Sequence, residues 1–122
     1  MLRNILEDIR EILNEQLNIP TELSEKVLEL FTHYQKDMWV YPGVIKRKTG
    51  MSTDQVYALL TEMEDNEILE SFYELYCGNC QKTNGKVHVF NEIPEEFECE
   101  YCHEQFTGLE NAALIYKVLR DE

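Results

Sequence analysis

The sequence predicts an α+β fold, helical in its first half and built from short strands in its second. Three observations predict it. Apolar residues recur at helical spacing from Leu2 to Met63, β-prone runs and turn residues take over from Ile68, and all four cysteines fall between positions 77 and 102. The 122 residues suffice for one domain, or for two small ones. A composition of 43% apolar and 29% charged residues excludes collagen-like, low-complexity and disordered chains. No apolar run approaches the roughly 18 residues of a membrane span. The opening Met1-Leu2-Arg3-Asn4-Ile5-Leu6-Glu7-Asp8 lacks the apolar region and small-residue cleavage site of a secretory signal, so a cytoplasmic protein is expected.

Residues 2–17 read as the first helix. Leu2, Ile5, Ile9 and Ile12 follow three-four spacing, Leu6, Leu13 and Leu17 widen the stripe, and Glu7, Asp8, Arg10, Glu11 and Glu15 take the other side. Pro20 ends this helix by pushing Ile19 out of helical conformation. Thr21 is expected to cap a second helix, with Glu22 and Glu25 in its first turn. Its face is Leu23, Val27, Leu30, Phe31 and Tyr34, and it runs to about Lys36. Met38-Trp39-Val40-Tyr41 is a short strand closed by Pro42-Gly43. A compact helix of Val44 to Thr49 stops at Gly50, which accepts the left-handed conformation of a C-cap. Ser52 and Gln55 form a capping box for a helix carrying Val56, Leu59, Leu60 and Met63. Asp65-Asn66 ends it, and Ile68 to Tyr76 forms a strand. Helix, short strand, helix, tight turn, helix, strand is the order of a winged helix-turn-helix domain, with a small helical bundle as the alternative.

From Cys77 the pattern changes to short strands and turns. Asn84-Gly85, between Gln81-Lys82-Thr83 and Lys86-Val87-His88-Val89-Phe90, predicts a hairpin. Asn91 to Glu95 is a loop leading to Phe97-Glu98-Cys99, and Gln105-Phe106-Thr107 is another short strand. The tail Ala113 to Leu119 fits a helix or a strand, and its Ile, Tyr and Val content favours the strand. The expected organisation is thus an N-terminal amphipathic helix over 1–20, a winged helix-turn-helix over 21–72, and a zinc ribbon with C-terminal strand over 73–122.

Cys77-Gly78-Asn79-Cys80 and Cys99-Glu100-Tyr101-Cys102 are two C-x2-C pairs separated by 18 residues. Each pair wraps two sulfurs around one ion, and the expected hairpin brings the pairs together into a four-thiolate shell, the arrangement of a structural Zn²⁺ site. A rubredoxin-like iron site and a thioredoxin-like redox pair are the competing readings; the second needs a cysteine pair opening a helix, which neither pair does. Four thiolates fill zinc's shell and leave no position for an activated water, so one structural ion is expected. Thiolate coordination adds a formal −2 and takes the net charge from −13 to about −15, softened locally by Lys82 and Lys86. His103 follows the last cysteine without being needed as a ligand. His33 and His88 stand apart from any nucleophile or carboxylate pattern, so no enzyme is expected.

A helix-turn-helix running into a four-cysteine ribbon resembles the tandem in the alpha subunit of transcription factor IIE and its archaeal counterpart. The likeness covers residues 21 to about 106 and rests on Val44 to Gly50, Ser52 to Asn66 and the two cysteine pairs. The ribbon knuckles of such proteins usually place glycine after the second cysteine, where Gln81 and His103 stand here. The resemblance implies the fold and leaves the task open, so the residues themselves are weighed for nucleic-acid binding. The second helix of the motif offers Thr53, Asp54, Tyr57, Ala58, Thr61, Glu62 and Asp65, with no Arg or Lys. Lys46-Arg47-Lys48 is the one basic cluster, able to touch phosphates or simply to face water. The acidic excess concentrates in residues 67–122, twelve carboxylates against four cations, which serves solubility or a basic partner. The leading expectation is a non-enzymatic accessory subunit docking a protein partner. The rival is a transcription regulator dimerising through its N-terminal helix and joining two basic clusters on DNA. An acidic DNA mimic fits the charge but has no positional support. The stripe Leu2, Ile5, Ile9 and Ile12 either packs on its own domain or serves as the partner or homodimer surface.

Overall fold

A computed structural model of the chain describes residues 1–88 and 92–122. The described chain is α+β and divides into two compact units. One comprises residues 1–70 with 116–122, the other residues 71–115. These units do not follow the consecutive divisions 1–20, 21–72 and 73–122. The chain leaves the first unit within one strand and returns within its last, a long-range closure that leaves no local signature.

In the first unit, α1 (Arg3–Glu11) runs into a π-helical turn over Ile12–Gln16, closed by the Leu17 amide on Ile12 O at 3.0 Å. The widened turn brings both Ile12 and Leu13 into the core. Asn18, at a φ of 53°, turns the chain out of it. Helix α2 (Thr21–Phe31) starts on Pro20 without a side-chain cap, so Thr21 is its first residue and not its cap. Of the two expected first-turn acids only Glu22 lies there; Glu25 instead meets Arg10 of α1 at 2.7 Å. The helix ends at Phe31, short of Lys36, because His33 and Tyr34 bond back only three residues and tighten the chain. Strand β1 (Trp39–Val40) follows, then α3 (Pro42–Thr49), whose proline fills the first turn and whose Gly50 sits at a φ of 81°. Helix α4 (Thr53–Asp65) carries the full capping box, Ser52 Oγ accepting from the Gln55 amide and Gln55 Oε1 from the Ser52 amide.

The core of this unit joins Ile5, Ile9 and Leu13 with Val27, Phe31, Ile45, Leu59, Leu60 and Met63, all fully enclosed. Of the two readings of the N-terminal stripe, packing on its own domain is the one this burial matches. Ile5 and Ile9 are 0% exposed and Ile12 2%, leaving only Leu2, at 64%, open. Burying the stripe in its own unit satisfies the hydrophobic effect without a partner.

Strands β2 (Leu69–Tyr76), β3 (Thr83–Val87) and β6 (Ala112–Val118) join β1 in an antiparallel sheet of order β1-β6-β2-β3, while β4 (Glu96–Glu98) and β5 (Gln105–Thr107) form a separate pair. The tail is a strand, as its β-branched content predicts. Within the first unit Val40 pairs with Tyr116 and Trp39 with Lys117, whose ammonium lies over the Trp39 ring.

In the second unit, Asn84-Gly85 is not a hairpin turn. Strand β3 runs through it, pairing Lys86 with Glu74 and Thr83 with Tyr76. Two residues of β3 thus oppose one of β2, which is a β-bulge. Turn and bulge both use the positive φ that glycine tolerates, here 111° at Gly85. Of the expected second hairpin strand, Val89 and Phe90 lie outside the described residues, as does Asn91 of the loop. Phe97 and Phe106 pair across β4 and β5. Gly108 closes that pair through its amide on Glu95 O; a Cβ there would meet Pro94 O at 1.8 Å.

Candidate metal centre

The four cysteines occupy two turns of the same construction. In the first, the Cys77 amide donates to Lys82 O at 2.9 Å and the Gln81 amide returns to Cys77 O at 3.0 Å. In the second, the Cys99 amide donates to Glu104 O and the His103 amide to Cys99 O, both at 2.9 Å. Amides inside each turn point at the leading sulfur: Asn79 and Cys80 at Cys77 Sγ (3.3 and 3.2 Å), Tyr101 at Cys99 Sγ (3.4 Å). Gln81 and His103 take φ values of 67° and 65°. Both lie in the left-handed region that glycine occupies most readily, one after the second cysteine of each turn.

The turns bring the sulfurs together. Cys77 Sγ lies 3.5 Å from Cys102 Sγ, Cys80 Sγ 3.6 Å from Cys99 Sγ, and all four fall within 4.8 Å of one another. A tetrahedron with metal–sulfur bonds of about 2.3 Å has edges of about 3.8 Å, so the set fits one ion. The separations are far too long for disulfides. Cys77 and Cys99 are buried. His103 is exposed and outside the cluster. Among the described residues this is the one group of His, Cys or carboxylate side chains placed to hold a metal.

The environment separates the thiols. Burial works to raise Cys99, but the amides of Cys102 and Tyr101, the Asn84 carboxamide and the Cys80 thiol hold it down at about 6. For Cys80 the Lys82 amide works downward, yet burial and the other three sulfurs push it up to about 12. Metal uptake at neutral pH therefore displaces a proton from the thiol cluster, so affinity rises with pH. Calorimetry in buffers of different ionisation enthalpy is expected to count at least one proton released per ion at pH 7. An affinity independent of pH contradicts this assignment.

Two side chains that the spacing did not single out bind the turns together. Asn79 Nδ2 reaches Cys102 Sγ at 3.7 Å, and Asn84 Nδ2 reaches Cys99 Sγ at 3.6 Å while its Oδ1 accepts from the Glu100 amide at 2.9 Å. N–H donors onto thiolate delocalise its charge and orient the ligand. The two local lysines are engaged, Lys82 over the Tyr101 ring at 4.6 Å and Lys86 with Glu74 at 3.5 Å. A left-handed residue other than glycine costs about 1–2 kcal/mol, partly offset by the extra unfolded-state entropy of glycine. Gln81→Gly and His103→Gly are accordingly expected to stabilise the second unit by about 0.5–1 kcal/mol each, read from chelator-competition midpoints.

Away from the cysteines, Lys46, Arg47 and Lys48 are all exposed on α3, and Lys46 Nζ donates to Thr53 Oγ1 at 2.8 Å. Along α4, Thr53, Asp54, Tyr57, Ala58, Thr61 and Asp65 are open to solvent. Between the two helices lies a groove of about 210 Å³ lined by Pro42, Gly43, Lys46, Thr53, Val56 and Tyr57. Among the described residues no helix is long and apolar enough to cross a membrane. Comparison of the chain with protein-family models, curated proteins and solved structures finds no match.

Proposed function

We propose that the chain is a non-enzymatic adaptor, a winged helix-turn-helix carrying a structural zinc ribbon, which docks a protein partner within a larger complex. The strand order β1-β6-β2, together with the chain order of α2, α3 and α4, supports the winged-helix reading, with β2 and β6 as the wing. The cysteine unit then lies in the chain between the wing strands, whereas in the transcription factor IIE likeness it would follow the helical domain. Zinc is the ion favoured by four thiolates in a closed shell, and it would hold the ribbon's shape without offering an open position.

The observation that carries the docking reading is the open face of α4. It has two carboxylates, an exposed Tyr57 and no cation. A helix reading base edges in an anionic groove needs Arg, Lys, Asn or Gln there, and a chain of charge −13 is repelled by phosphate at long range. Aromatic side chains beside a groove are instead enriched where proteins meet. The test is purification from native extract beside a duplex-binding titration. A stoichiometric protein partner that Tyr57→Ala releases, with only weak salt-sensitive DNA binding, is expected. Recovery of the chain alone, with tight duplex binding abolished by replacing Lys46, Arg47 and Lys48 with alanine, would establish the DNA regulator instead.

A further inference from the structure

We propose that Asn84-Gly85 is a deamidation site held closed by the metal centre, so that losing the ion commits the second unit to an irreversible covalent change. The inference rests on the reading that the four cysteines hold a metal. Of the chain's eight asparagines only Asn84 precedes a glycine. The following residue matters because its backbone nitrogen is the nucleophile, and a Cβ there obstructs its approach. The Gly85 nitrogen attacks Asn84 Cγ, ammonia leaves, and water opens the succinimide to aspartate or isoaspartate. One water is consumed and one ammonia released, with no oxidant or reductant.

In the folded unit the Asn84 carboxamide is occupied on both sides. Its oxygen accepts from the Glu100 amide at 2.9 Å, and its nitrogen donates to Cys99 Sγ at 3.6 Å and Lys82 O at 3.3 Å. The Gly85 amide is directed at Thr83 Oγ1, 3.4 Å away. Cyclisation requires the side chain to swing toward Gly85, and that movement breaks the bonds to Glu100 and Cys99. Both partners belong to the second cysteine turn, whose shape the ion maintains. Once that turn opens, the carboxamide is released to react from the open state.

The product is wrong for the site. An aspartate has no N–H for Cys99 and sets a carboxylate beside a thiolate, while isoaspartate lengthens the backbone inside the bulge. Conversion therefore turns reversible metal loss into a one-way exit.

The experiment incubates metal-loaded protein beside protein kept metal-free by a chelator, and follows Asn84 by peptide mass spectrometry with isoaspartate detection. The one-dalton gain at Asn84 is expected to accumulate at least about tenfold faster without metal, with Asn79 and Asn111 unchanged. Metal then returned to the aged sample should be taken up in proportion to the unconverted fraction, and Asn84→Asp should show the same deficit from the start. Equal rates in the two samples, or full reloading of converted protein, overturns the proposal. Elemental analysis of the loaded sample at the outset separates the two ideas: one ion per chain with equal rates removes the protection alone, and no ion removes the metal reading with it.

Discussion

Replacing Cys99 with serine is expected to unfold residues 71–115. The apolar side chains buried in that unit are Leu75, Cys77, Cys99 and Ile115, so half of its described core consists of candidate metal ligands. Short strand pairing and two partly exposed ring contacts, Phe97–Phe106 and Phe72–His88, supply the rest. A structural four-thiolate ion contributes on the order of 10–16 kcal/mol, as large as the whole stability of an ordinary small domain. Losing one ligand opens the shell and forfeits most of that. Hydrogen exchange is the direct readout. Amides of β3, β4 and β5 should lose protection in Cys99→Ser, and a chelator should produce the same loss in the unaltered chain. Protection that survives both would show that side-chain packing, and not an ion, holds the unit.

The second large effect concerns the N-terminal helix. Ile9→Ala is expected to destabilise the first unit by about 2–5 kcal/mol, because a fully enclosed isoleucine leaves a cavity when truncated. Leu2→Ala, at a residue 64% exposed, should change stability by less than about 0.5 kcal/mol. Denaturant midpoints distinguish the two. A mild Ile9→Ala would mean that the stripe serves a surface after all.

Local signals survived folding well. The Ser52–Gln55 capping box, the Gly50 C-cap and the helical periodicity of Val56 to Met63 each depend on residues within one or two turns, and each stands where the pattern put it. The cysteine spacing likewise identified the four sulfurs that converge. What the pattern left open or missed depended on distant partners. Whether Ile5, Ile9 and Ile12 face a core or a second molecule is decided by α2 and α4, not by their own spacing. The return of β6 to pair with β1, across more than seventy residues, is what splits the units discontinuously. Asn84-Gly85 misled for a different reason: a turn and a bulge ask the same backbone freedom of the same two residues. Asn84's contacts with Cys99 and Glu100 exist only once the second turn is in place. Gln81 and His103 carry no mark of the left-handed conformation they adopt.

The metal content of protein purified under reducing conditions tests the four-sulfur cage most directly. One ion per chain is predicted, with all four thiols unreactive toward alkylation until a chelator is added. Metal-free protein whose β3, β4 and β5 remain protected while four thiols alkylate freely would contradict it.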